Sequence, residues 1–263
     1  MKITCSNNYD TAFSTFSVTA DADAAYAIAD IITGDFSTAY TSAGSAATFV
    51  FTKTFSTPFA CEYLAFAGHN FGDIGGTLSV TVDTVSKGSQ VFAVGSTNSV
   101  VLFHFAEVTA TTIEVTFTKT SSSDRATLAY VAAGELLPLE SRNNEESGYQ
   151  RAWKTRSINT RAVVNSSAAP VALLRESMTR KVALNLSNIN QTITNSAAWN
   201  QFLDRVYIGG DFFIKERDGG DYYADDPTST YMAFDAEVLP LKAHSETRAL
   251  DNLSIKFSAF TGS

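Results

Sequence analysis

The feature that most constrains this chain is a train of short segments rich in Val, Phe, Tyr and Thr, with Gly, Ser, Asn or Asp in the breaks. They run over Ala47–Thr54, Phe59–Gly68, Thr77–Asp83, Gln90–Val94, Ser99–Phe105, Thr111–Thr118 and Ala126–Ala132. Such residues suit a pleated, half-buried surface, and the breaks carry turn chemistry. Ile113-Glu114-Val115-Thr116-Phe117-Thr118 alternates without a fault. Successive strand side chains point to opposite faces, so one face is expected to be buried and the other wet. Seven segments at this spacing predict an antiparallel β-sandwich. One short helix is expected over Asp23–Ile31, before the Gly34-Asp35 turn.

The second half changes character. Residues 1–120 hold four Lys or Arg against ten acids, and the remainder holds fifteen against seventeen. The polar stretch Glu140–Arg151 has no apolar periodicity and reads as a linker. The expected division is 1–139, a linker at 140–152, and a second domain at 153–263. In that second part Asn195–Tyr207 is the best helix of the chain. Trp199, Phe202, Leu203 and Val206 form one apolar stripe, Asn195 or Ser196 offers a cap, and Gly209-Gly210 ends it. Strands are expected at Asn159–Asn165, Arg180–Leu186, Asp211–Lys215, Ser229–Glu237 and Asn252–Phe260. The fold class is thus mainly β: an N-terminal sandwich, then a β-barrel or sandwich domain with one packed α-helix.

Composition closes off several functions. The chain is 44% hydrophobic and 17% charged, enough apolar material for a core and too little charge for a disordered chain. A net charge of −8 argues against nucleic acid, whose phosphates call for Lys and Arg. No apolar run is long enough for a membrane helix, and Met1–Asp10 has no apolar core of a secretory leader, so neither is expected. Cys5 and Cys61 make no disulfide framework and no zinc site; two buried thiols are expected, with a single bridge between them left open.

Two resemblances add to this. The segment Ala29–Ser42, with Gly34-Asp35, Ser37-Thr38 and Tyr40, resembles the opening of discoidin-like, galactose-binding-type sandwiches, with Tyr40 where Trp is usual. The strand Tyr63–Gly68, the loop His69-Asn70-Phe71-Gly72-Asp73 and Gly76–Val80 continue the order. The resemblance spans about residues 20–138, and its Ala-Gly-His-Asn-Phe-Gly form is similar to sandwich domains in structural proteins of tailed bacteriophages. The closing segment Leu253–Phe260, with the helix and Phe212-Phe213 before it, resembles distal-tail and tail-hub domains of those phages, which assemble into rings. The resemblances imply a jelly-roll or galactose-binding-like architecture and a virion protein.

Few residues invite chemistry. His69, His104 and His244 lie on separate segments with no metal-like spacing, and no G-x-S-x-G elbow is present. Asp218, Asp221, Asp225 and Asp226 could serve glycoside hydrolysis or hold Ca²⁺, yet Gly219-Gly220 and Pro227 mark the segment as turn-rich loop. Asp30 and Asp35 are the other Ca²⁺ candidates, near a turn where discoidin-like domains sometimes bind that ion; no other cofactor is expected. Tyr40, His69, Asn70, Phe71 and Asp73 could form a sugar site, with rings stacking on C–H groups and polar side chains reading hydroxyls. The plainer reading makes Tyr40 and Phe71 core-edge residues. Arg151, Trp153 and Arg156 suggest a subunit contact.

The sequence reading is therefore a non-enzymatic structural component of a phage tail tip or baseplate. It would form a homo-oligomeric ring in the virion, assembled in a bacterial cytoplasm beside other tail proteins, with the sandwich turned to a host glycan or to its neighbours. The alternative is a standalone carbohydrate-binding module or lectin.

Overall fold

Long strands with interrupted registers dominate the computed structural model, which describes residues 2–9, 14–33, 36–137, 156–164, 170–190, 195–215, 230–241 and 250–260. The chain divides into two units that are not consecutive stretches: one comprises Lys2–Leu137 with Phe213–Thr230 and Thr261–Ser263, the other Pro138–Phe212 with Tyr231–Phe260.

The first unit holds β1 (Lys2–Ile3), β2 (Ser14–Ala20), β3 (Tyr40–Thr41), β4 (Thr48–His69), the single turn α1 (Phe71–Ile74), β5 (Gly76–Val82), β6 (Val85–Phe92), β7 (Val101–Lys119) and β8 (Thr127–Gly134). The order β3-β8-β4-β7-β5-β6, with β2 added on β4, is antiparallel throughout. Two of the expected breaks are absent. Ala47–Thr54 and Phe59–Gly68 belong to one strand, as do Ser99–Phe105 and Thr111–Thr118. The reason is a register shift between Thr54 and Phe59, opposite Thr112 and Ala110, which takes up Ser56-Thr57-Pro58 without ending the ladder. A bulge bends a strand and adds twist, and it is a place where proline is tolerated. The first half of β4 thereby pairs with β2 and the second half of β7, and its second half pairs with β8 and the first half of β7.

The two halves close on one core. Phe49, Phe51, Val80, Val115 and Phe117 from one layer join Leu64, Phe66, Leu128 and Val131 from the other. Tyr40 on β3 stacks on Phe49 of β4 across the core, with ring centroids 5.3 Å apart. Instead of the helix expected over Asp23–Ile31, a five-residue 3₁₀ turn covers Ile28–Ile32 and inserts Ile31; the preceding residues are Ala-rich but have no apolar stripe to bury. Phe213–Lys215 also counts with this unit: Ile3 and Lys2 pair with Ile214 and Lys215, and Phe213 stacks on Tyr130 at 5.9 Å.

The second unit holds β9 (Arg156–Val164), β10 (Pro170–Asn190), α2 (Ala197–Tyr207), the first residue of β11 (Phe212–Lys215), β12 (Thr230–Leu241) and β13 (Leu250–Phe260). Here β10 lies between β9 and β13, and β12 pairs on the other side of β13, all antiparallel. Ser196 caps α2 by accepting from the Trp199 N–H at 3.2 Å. Trp199, Phe202 and Val206 are buried, and Gly209 ends the helix with a φ of 75°. A row of rings links helix to sheet: Trp199–Phe202 at 5.4 Å, Phe202–Phe212 at 5.1 Å and Phe212–Phe257 at 5.9 Å. The chain is mainly β, with two antiparallel sheets and α2 as its one α-helix of more than a single turn among the described residues.

Candidate functional site

The structure gathers the five residues expected to bind sugar, and turns their rings inward. Tyr40 and His69 pair with Leu128 of β8 from either side. Yet Tyr40 is 1% exposed, His69 2% and Phe71 0%, so no ring offers a face to a ligand. These rings pack on one another: His69 stacks on Phe71 at 4.5 Å and Phe71 on Phe117 at 4.1 Å, in the core. A histidine enters such a place only if both ring nitrogens are satisfied. Nε2 donates to the Ser99 carbonyl at 2.9 Å, and Nδ1 accepts the Phe71 N–H at 3.3 Å. Burial pushes the imidazole pKa down to about 4, so the ring is neutral near pH 7.

Asn70 and Asp73 serve as splints. The Asn70 amide donates to the Arg125 carbonyl at 2.9 Å, and its oxygen accepts the Thr127 N–H at 2.8 Å. Asp73 accepts from the Asn98 amide at 2.9 Å, and the Asn98 oxygen takes the Gly72 and Asp73 N–H groups.

A different set of side chains reaches solvent at this end. Arg125, in the β7–β8 loop, donates through Nε to the Ser42 carbonyl at 2.8 Å, and its terminal amine pairs with the Asp23 carboxylate. Its guanidinium carbon lies 5.7 Å from the centre of the Tyr26 ring, within cation–π range. The Arg125 side chain is 47% exposed, that of Asp23 22%, and Tyr26 as a residue 41%. Asp23 is itself held in a turn by the Ala25 N–H, 2.9 Å from Oδ1. Phe36, also exposed, rests over Gly68, where a Cβ would come within 2.9 Å of its ring.

Beneath this surface lies a buried ion pair. Lys119 Nζ donates to Asp21 Oδ2 at 2.7 Å, to the Asp124 carbonyl at 2.7 Å and to the Ser122 carbonyl at 3.2 Å. Both side chains are fully enclosed. The other Asp21 oxygen accepts from the Ser45 N–H at 2.6 Å, the Ser45 hydroxyl at 3.1 Å and the Ala46 N–H at 3.1 Å. Burial alone would raise the Asp21 pKa; the Lys119 ammonium and the other hydrogen bonds outweigh it and hold the carboxyl well below the usual range.

Neither cluster was singled out from the sequence, although the signal for Lys119 is there. Continuing the alternation of Ile113, Val115 and Phe117 puts position 119 on the buried face, where a lysine needs partners. Arg125 sits in a Ser-Ser-Ser-Asp-Arg turn that gives no comparable sign.

Asp30 has its carbonyl engaged by Thr33, and among the described residues no group of three or more His, Cys, Asp or Glu could hold a metal ion. Asp35, Arg151, Trp153, Asp218, Asp221, Asp225, Asp226 and His244 lie outside the described residues, and Arg156 is described only as backbone of β9. His104 stands opposite Tyr63 in the β4–β7 ladder. Cys5 and Cys61 are free and buried, and burial pushes both thiols up to about 12. Among the described residues, no helix is long and apolar enough to cross a membrane.

No known protein family matches the chain, and no curated protein does. Solved structures offer faint likenesses. A GH29 fucosidase of Ruminococcus gnavus in complex with fucose aligns over 49% of this chain and 26% of its own, at 10% identity and a TM-score of 0.42. A CBM32 module from a family 31 glycoside hydrolase of Clostridium perfringens aligns over 46% of this chain and 94% of its own, at 14% identity and a TM-score of 0.37. A CBM32 in complex with 4,5-unsaturated mannuronic acid aligns over 45% of this chain and 92% of its own, at 18% identity and a TM-score of 0.37. The chain thus spans about a quarter of the fucosidase. At this level of likeness no residue correspondence follows.

Proposed function

We propose that the sandwich unit binds a carbohydrate, without turning it over, on the face made by Tyr26, Asp23 and Arg125. The observation that supports this most is the grouping itself: an exposed ring, a planar five-proton donor and a carboxylate acceptor, side by side on loops fixed to a rigid β-scaffold. A sugar presents C–H faces that stack on a ring and paired hydroxyls that both donate and accept. The guanidinium supplies donors and Asp23 supplies lone pairs, so both directions are met. Pre-organisation matters because only the surplus over ordering costs appears as affinity; Arg125 is already tied to Ser42, and Asp23 to Ala25. One of the CBM32 modules compared above is in complex with 4,5-unsaturated mannuronic acid, but this proposal rests on the residues of this chain.

The virion reading keeps its place only as an expectation. Two of the residues meant to carry its ring contact, Arg151 and Trp153, lie outside the described residues, and nothing in the comparisons speaks for a phage tail. The glycan-hydrolase idea rests on Asp218–Asp226, also outside them.

A glycan array probed with the wild-type chain, Tyr26→Ala and Arg125→Ala tests the proposal. Binding by the wild type with a loss of about tenfold or more in each variant is expected, since a ring stack or a charge-assisted hydrogen bond is worth roughly 1.5–3 kcal/mol. Binding that survives both substitutions, or no binding to any neutral or acidic glycan, overturns it.

A further inference from the structure

We infer that Lys119 is a positioning residue for this face, an internal cation that orders the two loops bearing Asp23 and Arg125. The inference rests on the reading of that face as the binding surface.

The geometry is that of a cation among oxygens. One carboxylate and two peptide carbonyls converge on a single ammonium, which has three protons to give, and each oxygen takes one. The oxygens come from the two loops that matter. Asp21 lies two residues before Asp23, while Ser122 and Asp124 lead directly into Arg125. The Lys119 main chain is itself anchored, its N–H bonded to the Ala47 carbonyl at 2.9 Å. The Asp21 carbonyl accepts from Ala43 at 3.0 Å, and its carboxylate from Ser45 and Ala46, so the segment around Ser42 is drawn into the same cluster. Of the Arg125 side chain's hydrogen-bond partners, Asp23 thus lies two residues from Asp21, which holds the ammonium, and Ser42 lies beside Ala43, whose N–H is bonded to Asp21. The backbone around it is closely fitted: Asp21 takes a left-handed φ of 61°, and Gly44 packs so near that a Cβ there would lie 2.8 Å from the Ser123 carbonyl. Such a conformation persists where surrounding contacts over-determine it. With the ammonium removed, Asp21 becomes a lone buried charge and two carbonyls lose their donor, so these loops are expected to open while the β4–β7 ladder stays.

The test reads the Arg125 side chain without any glycan. In the wild-type protein, ¹H–¹⁵N spectra should show a dispersed Arg125 Nε–H resonance, since that proton is held by Ser42. Lys119→Met should bring it to the position of a free arginine. The amides of residues 122–126 should exchange at least about tenfold faster, with β4 amides unchanged. In Lys119→Ala, n-propylammonium chloride should restore the resonance, and tetramethylammonium chloride at equal concentration, having no proton to donate, should not. If Lys119→Met unfolds the unit, the double variant D21N/K119M, which leaves no lone charge, is read in the same way. An unchanged Arg125 resonance, unchanged exchange, no selective rescue, or loss of the fold in the double variant overturns the inference. Glycan binding measured on the same samples keeps the two ideas apart: a wild type that binds no glycan defeats the proposed function and leaves the positioning result standing.

Discussion

His69 shows how a residue that looks like a ligand contact becomes a core pin. At a strand end, beside Asn70, it has the place and chemistry of a binding residue. Its neighbours decide otherwise: Phe71 and Phe92 flank the ring, and both nitrogens are used within the fold. A stability profile follows. The folded pKa is depressed to about 4, below the ordinary histidine value of about 6.5, so the unfolded chain takes up the proton first. The contribution is complete above about pH 6.5 and is lost as pH falls toward 4, by about 3 kcal/mol in all. Below that, Asp21, whose pKa is also depressed, adds its own loss as pH drops under the ordinary carboxylate range. Urea melts at steps between pH 7 and 4 check the first window. A flat profile there, or one that His69→Gln leaves unaltered, contradicts the account of the ring.

At the scale of elements, the β4–β7 ladder determines where the site can be. Its registers shift near the middle, so one pair of strands serves both layers and brings the β7–β8 loop to the end where Asp23 and Tyr26 lie. The approach of β5 to β7 is as close as backbone allows: a Cβ on Gly76, at a φ of 146°, would lie 2.2 Å from the Thr118 carbonyl. Gly76→Ala is therefore expected to destabilise the sandwich by at least about 2 kcal/mol, whereas Gly95→Ala, at a φ of 77° with open space around it, should cost only about 1 kcal/mol. Thermal melts of the two variants compare them directly. Much of this architecture was legible in the sequence. The alternation from Ile113 to Thr118 is the second half of β7, and the stripe Trp199-Phe202-Val206 is the buried face of α2. What stayed hidden was continuity: Ser56-Thr57-Pro58 carries turn chemistry, and only the partner strand reveals that the ladder absorbs it. The site was hidden for a related reason. Tyr40 and His69 have the right chemistry at the right end, but which way they face depends on pairing with β8, which no local pattern encodes. Lys119 was the overlooked clue, since it falls on the apolar face of an alternating strand and is buried.

For the whole molecule, the two units share the chain in an interleaved way, and Phe213 marks the crossing. It belongs to the sandwich by its stack on Tyr130 and by hydrogen bonds to Thr4, its carbonyl accepting from the Thr4 N–H at 3.0 Å and its N–H donating to Thr4 Oγ1 at 2.9 Å. Phe213→Ala should accordingly destabilise the sandwich by about 3 kcal/mol, read as a lower melting temperature with Tyr130 losing its near-ultraviolet signature. The net charge of −8 fits a partner with little anionic charge and leaves recognition to local groups. The most direct test of the central claim is chemical-shift mapping of the ¹⁵N-labelled chain against the best glycan from the array. Shifts centred on Asp23, Tyr26 and the Arg125 side chain, with His69 and Phe71 little moved, are the predicted result. Saturable shifts centred elsewhere, with those three residues unmoved, contradict the account.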